Sequence, residues 1–188
     1  MRVPVTLLRS TLGKMKKYKY YTFRNFVALN VVDDMHFVDP ISFWIQAKRW
    51  EIKQAGQERL PDEGQGFVPL PEGVHLGERE RFMAEAFEKS LQELLPLMEE
   101  GLIVIGDHND FKEKTSFGHF AITVPEGNIY DAIQAARDDF AKDKDGRFEW
   151  CWMIQATTKG WEWANRQIAE MDNAEYHKEK HDFFGELS

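Results

Sequence analysis

The sequence predicts an α+β domain in which helices pack on a small antiparallel sheet. Three observations predict it. Several stretches repeat apolar residues at helical spacing, above all residues 78–100. Short apolar runs bounded by turn residues lie between them, such as Leu102 to Ile105 after Gly101. A hydrophobic share of 43% in 188 residues suits one packed domain, or one domain with extra segments.

In chain order, residues 1–17 read as a basic N-terminal extension. Met15-Lys16-Lys17-Tyr18-Lys19 has the look of a bacterial start, which makes 1–14 an upstream segment. The apolar patch Val3 to Leu8 is broken by Pro4 and is too short for a secretory signal. The main domain spans 18–172. Tyr18, Tyr20 and Thr22 alternate with Lys19, Tyr21 and Phe23, and an apolar run follows from Phe26 to Val32, so 18–32 is expected to be extended. Asp39 and Pro40 open a helix, with Ile41, Trp44, Ile45, Lys48 and Ile52 on one stripe and Gly56 as its stop. Residues 57–77 hold seven Gly or Pro among 21 and lose every period, as a long surface loop does. Its Gly64-Gln65-Gly66 lacks the Lys-Ser/Thr ending of a phosphate loop.

Helix 78–100 follows. Phe82, Met83, Ala86, Phe87, Leu91, Leu94, Leu95 and Met98 form its apolar face, Pro96 is expected to kink or restart it, and Gly101 ends it. Helix, glycine and the strand Leu102 to Ile105 make a unit that recurs in winged-helix domains, so a winged-helix-like arrangement is expected. Phe117 to Val124 reads as a second strand. Asn128 caps a helix with Ile129, Ile133, Ala136 and Phe140 on one side. Phe148, Trp150, Trp152 and Ile154 alternate, which predicts a strand over 148–155. Trp161, Ala164, Ile168 and Met171 mark a last helix, and 173–188 reads as a charged tail that frays. Trp152 and Trp161 are assigned to the core, and at least one of Trp150 and Trp163 to the surface, as an anchor for a partner.

The net charge of −8 hides an asymmetry. Residues 1–30 carry seven bases and no acid, so the remainder holds 17 bases against 32 acids. Such a body repels phosphates and attracts basic partners. Basic residues among the aromatics of 18–23 resemble a single-strand-binding pattern, but the acidic remainder argues against nucleic acid. No apolar run approaches the roughly 20 residues of a membrane span. One cysteine, Cys151, excludes an internal disulfide framework.

Catalytic signatures are weak. His177 and His181 share a helix face, but Lys178 stands where a metalloprotease pair has its Glu. Asp107, His108, Asp110 and His119 match no metal spacing, so no metal and no cofactor are expected. Cys151, between two tryptophans, reads as a small buried hydrophobe. No Gly-x-Ser-x-Gly elbow is present. The expected role is therefore binding, not catalysis. Two alternatives remain open: a small hydrolase using Asp107, His108 and His119 under the 57–77 loop, and a winged-helix DNA-binding regulator. The second needs a basic recognition helix, whereas 129–141 sets Arg137 against Asp131, Asp138 and Asp139.

Two stretches carry a resemblance. Phe82 to Gly106 holds Phe-x4-Phe, Leu-Leu and Glu-Gly-Leu-Ile-Val-Ile. Ile129 to Trp163 holds Ile-Tyr-Asp-Ala-Ile, Phe140, Phe148-Glu149-Trp150 and Gly160-Trp161-Glu162-Trp163. Together they resemble a small uncharacterised bacterial domain family whose members include proteins encoded beside toxins of the contact-dependent-inhibition type. The resemblance implies a cytoplasmic immunity protein that binds a cognate protein toxin and occludes its active site. An acidic body fits a basic nuclease in that role. The candidate partner-binding acids are Asp107, Asp110, Asp138, Asp139, Asp143, Asp145 and Glu149, on a monomer or homodimer away from the membrane.

Overall fold

A computed structural model describes residues 18–33, 35–54, 76–108, 122–143 and 148–185. Among them the chain is α+β, as the sequence predicts: six helices of at least eight residues pack on a three-stranded antiparallel sheet. No helix of the described residues is long and apolar enough to cross a membrane.

The first element corrects the expected extended segment 18–32. The Thr22 hydroxyl accepts the Asn25 N–H at 3.2 Å and so caps α1 (Phe23–Asn30). Phe23 and Val27 then fall one turn apart on the buried face. A 3-10 turn, Val31–Asp33, leads into β1 (Met35–His36). In α2 (Val38–Gln54), Asp39 lies in the first turn and accepts the His36 N–H at 3.0 Å. Burial pushes the Asp39 carboxyl up, against the opposing pull of His36.

Next come α3 (Leu76–Glu99), β2 (Ile103–Asp107), α4 (Ile129–Lys142), α5 (Phe148–Cys151), β3 (Trp152–Ala156), α6 (Thr158–Glu170) and α7 (Asn173–Gly185). α3 continues through Pro96, which sits in its last turn, and ends at Gly101 with φ 68°. The first turn of α4 is fixed by the expected Asn128 cap, completed as a capping box by Asp131. The expected strand 148–155 is corrected at its start. Asp143 Oδ2 accepts the Phe148 N–H at 2.8 Å and turns 148–151 into α5, so the strand begins at Trp152. The expected fraying of the tail is also corrected. Over 173–185 it is α7, and Tyr176 and Phe183, two turns apart, are buried.

The sheet order is β1-β3-β2. Met35 pairs with Ile154, and Ile103 through Asp107 pair with Ala156 through Trp152. Trp152, Met153 and Ile154 are all buried. Successive strand residues face opposite ways, so both faces of the central strand are covered. On one side Phe37, Phe87, Phe140, Phe148 and Trp152 form an aromatic cluster, with Phe87 and Phe140 stacked at 4.1 Å. A second cluster joins Tyr18, Tyr21, Phe43, Tyr176 and Phe183, and holds α7 to the start of the main domain. Of the expected strand 117–124 the described part makes one bridge, Thr123 with Asp107. Its residues 117–121, the extension 1–17 and the loop at 57–75 lie outside the described residues.

Candidate partner-binding surface

The structure brings three of the named acids to one corner, where β2 ends, β3 begins and α4 finishes. Asp107 is the last residue of β2, half-buried and paired through its backbone with Thr123. Its sheet partner is Trp152. The Trp152 indole N–H donates to Asp139 at 3.3 Å. Asp143 is the C-cap residue of α4, and its carboxylate accepts the Phe148 N–H. Asp138, one residue before Asp139, is exposed and accepts only a helical neighbour's bond, from Gln134 at 2.8 Å, among those resolved. Asp110, Asp145 and His119 lie outside the described residues, as does the side chain of Glu149.

These acids therefore do different work. Asp143 and Asp139 bond to backbone and side-chain donors in other elements, whereas Asp138, exposed like Asp139, bonds only within its own helix among the described residues. Asp143→Ala is expected to cost about 1–2 kcal/mol by leaving the Phe148 N–H without its acceptor, and Asp139→Ala about 1 kcal/mol. Asp138→Ala should stay within about 0.5 kcal/mol of the parent. Urea unfolding of the three variants checks the order, and an Asp143→Ala protein as stable as Asp138→Ala would contradict it.

The hydrolase alternative gains little from the geometry. His108 is buried, 1% exposed, and its backbone N–H donates to the Cys151 carbonyl at 2.6 Å. Among the described residues no group of three His, Cys, Asp or Glu is placed to hold a metal ion.

A second acidic region is the helix pair α3 and α4. These helices run antiparallel, with the Phe87–Phe140 stack beneath. Arg137 bridges them, donating to both carboxylate oxygens of Glu88 at 2.8 Å. At the other end of the pair the Tyr130 hydroxyl donates to Glu99 Oε1 at 2.9 Å. Residues 83–99 and 129–142 carry seven acids and three bases. Tyr130, Gln134 and Asp138, one turn apart, form the outward stripe of α4.

Beside this region lies a solvent-exposed ion pair with an aromatic floor. Arg24 on α1 donates to Glu100 Oε1 and Oε2 at 3.0 and 2.9 Å, and its guanidinium lies 5.1 Å from the centre of the Trp163 ring. The Arg24 hydrogen bonds hold the Glu100 carboxyl below its ordinary range.

Two aromatic residues differ from expectation or were not singled out. Trp161, assigned to the core, is 38% exposed, while Trp163 is buried and Trp152 is buried as expected. The helix meets the sheet through Gly160, Trp163 and Ala164, with Gly160 against the Leu102 carbonyl, and Trp161 falls on the other side. Tyr130, which the sequence gives no role beyond its place in Ile-Tyr-Asp-Ala-Ile, is 60% exposed. The signal was present: Tyr130 lies off the Ile129, Ile133, Ala136 stripe, and so on the outer face. Compared with known proteins, the chain matches no family model, no curated protein and no solved structure.

Proposed function

We propose that the chain is a cytoplasmic immunity protein that docks onto a basic toxin domain, a nuclease, and occludes its active site. The α3–α4 pair carries this reading, with seven acids against three bases over residues 83–99 and 129–142 and the outward stripe of α4 on one face. Such a face raises the encounter rate with a cationic cleft and competes for the site where nucleic acid phosphates would lie. Loss of repulsion at the interface core needs only that the partner supply the bases, and the exposed stripe of α4 presents Asp138 without any structural duty to give up.

The test is the neighbouring gene. A large secreted protein with a variable, basic C-terminal domain is expected there, and that domain should bind the full chain with sub-micromolar affinity. No such neighbour, or no binding at 50 mM salt, overturns the reading. Within a complex, the double variant Gln134→Lys/Asp138→Lys should slow association roughly tenfold at low salt and flatten its salt dependence. Both residues are exposed, so the melting temperature should hold. Stopped-flow association across a salt series reads the effect.

A further inference from the structure

Resting on that reading, we infer that Tyr130 and Glu99 form a seat for one arginine side chain of the basic partner. The molecule contains a filled example of such a seat. Arg24 is gripped by both oxygens of Glu100 and lies over the Trp163 ring. A guanidinium suits this pairing because its fork matches a carboxylate and its flat, weakly hydrated face stacks on an aromatic ring.

Glu99, one residue before Glu100, and Tyr130 repeat the two components at the α4 side of the same helix end. The hydroxyl of Tyr130 is tied to Glu99 Oε1 at 2.9 Å, which fixes the ring beside the carboxylate and leaves Oε2 as an acceptor. That bond pushes the Tyr130 hydroxyl pKa up, so it remains a donor across the physiological range. Among the described residues, cations lie over the rings of Tyr20, Trp163 and Trp44, and none over Tyr130. Lys159, near the same turn, is committed to the Glu100 carbonyl at 2.6 Å. An exposed tyrosine alone is ordinary. A tyrosine held in place against a carboxylate, on an acidic face and with no internal cation, is prepared for an external one.

The test uses the full chain and acetylated hexa-arginine at low salt. Tyrosine ring NMR signals report contact, with the Tyr130 signals identified by their loss in Tyr130→Phe. The Tyr130 signals are expected to move most among the tyrosines. Tyr130→Ala and Glu99→Gln should each weaken binding roughly threefold, and the double variant little more than either single, because the two act as one unit. Glu170→Gln, which removes the same charge from an exposed site on α6, should bind as the parent does. Unmoved Tyr130 signals, no binding by the parent, or Tyr130→Ala and Glu99→Gln binding no worse than Glu170→Gln would each overturn the seat. The immunity reading fails separately, through the toxin domain not binding at all.

Discussion

Replacing Gly160 by alanine is expected to destabilise the protein by about 3 kcal/mol or more. Glycine inside a helix costs about 1 kcal/mol relative to alanine, so its place in the first turn of α6 needs a cause. A Cβ there would overlap the Leu102 carbonyl oxygen, which is backbone and has no rotamer to escape into. The contact cannot relax easily. The Thr157 N–H donates to Leu102 O at 3.0 Å, the Thr157 hydroxyl donates to Gly101 O at 2.7 Å, and the same hydroxyl accepts the Gly160 N–H at 3.0 Å. Moving α6 outward would break the first of these and lift Trp163 and Ala164 from the core. Gly101→Ala is the matched control. Its Cβ meets open space, and only the positive φ of 68° is strained, so about 1 kcal/mol is expected. Urea midpoints of the two variants decide, and equal midpoints would show that α6 does not rest on Leu102.

The second large effect is expected at Glu179. Its carboxylate accepts three consecutive backbone N–H groups, from Lys19 at 3.0 Å and from Tyr20 and Tyr21 at 2.7 Å. With Tyr176 and Phe183 it clamps α7 onto residues 18–21. Glu179→Ala strands those donors and should cost about 2–3 kcal/mol. A pH dependence comes with it. Burial pushes the Glu179 carboxyl up, but the N–H donors of Tyr21, Lys19 and Tyr20 outweigh burial and hold it below its ordinary range. The folded pKa is thus depressed. The clamp's contribution is full above the unfolded value of about 4.3 and is lost as pH falls through the lower folded value. Melting temperatures of the parent and Glu179→Gln, measured from neutral to acid pH, should differ most near neutrality and converge in acid. Parallel curves would mean that protonation of this carboxylate is not coupled to folding.

Much of the fold was legible because its signals are local. The stripe of α3, the Asn128 cap of α4 and the stop at Gly101 each depend on residues within a few positions of one another. Three segments depart from the expected pattern: in two a second local signal wins over the alternation, and in the third the deciding contact is distant. Tyr18 to Phe23 alternates like a strand, and the Thr22 cap, which turns the next residues into α1, carries less weight in the pattern than the aromatics. Phe148 to Trp152 alternates too, but Asp143 starts a helical turn there. In α7 the apolar signal shrinks to Tyr176 and Phe183 amid charge, and its reason to fold lies about 160 positions away, in Glu179's bonds to Lys19 and Tyr20.

The candidate surface divides in the same way. The sequence alone determined the acidic surplus, its separation from the basic start and the helical positions of Asp138 and Asp139, because composition and periodicity require no knowledge of neighbours. Only the tertiary structure decided that Trp161 faces out and Trp163 in, that Arg137 grips Glu88, and that Tyr130 stands against Glu99. Those outcomes depend on α3 lying antiparallel to α4 and on α6 pressing against Leu102. The contacts involved join residues some 30 to 60 positions apart, and only the closure of a shared core brings them together.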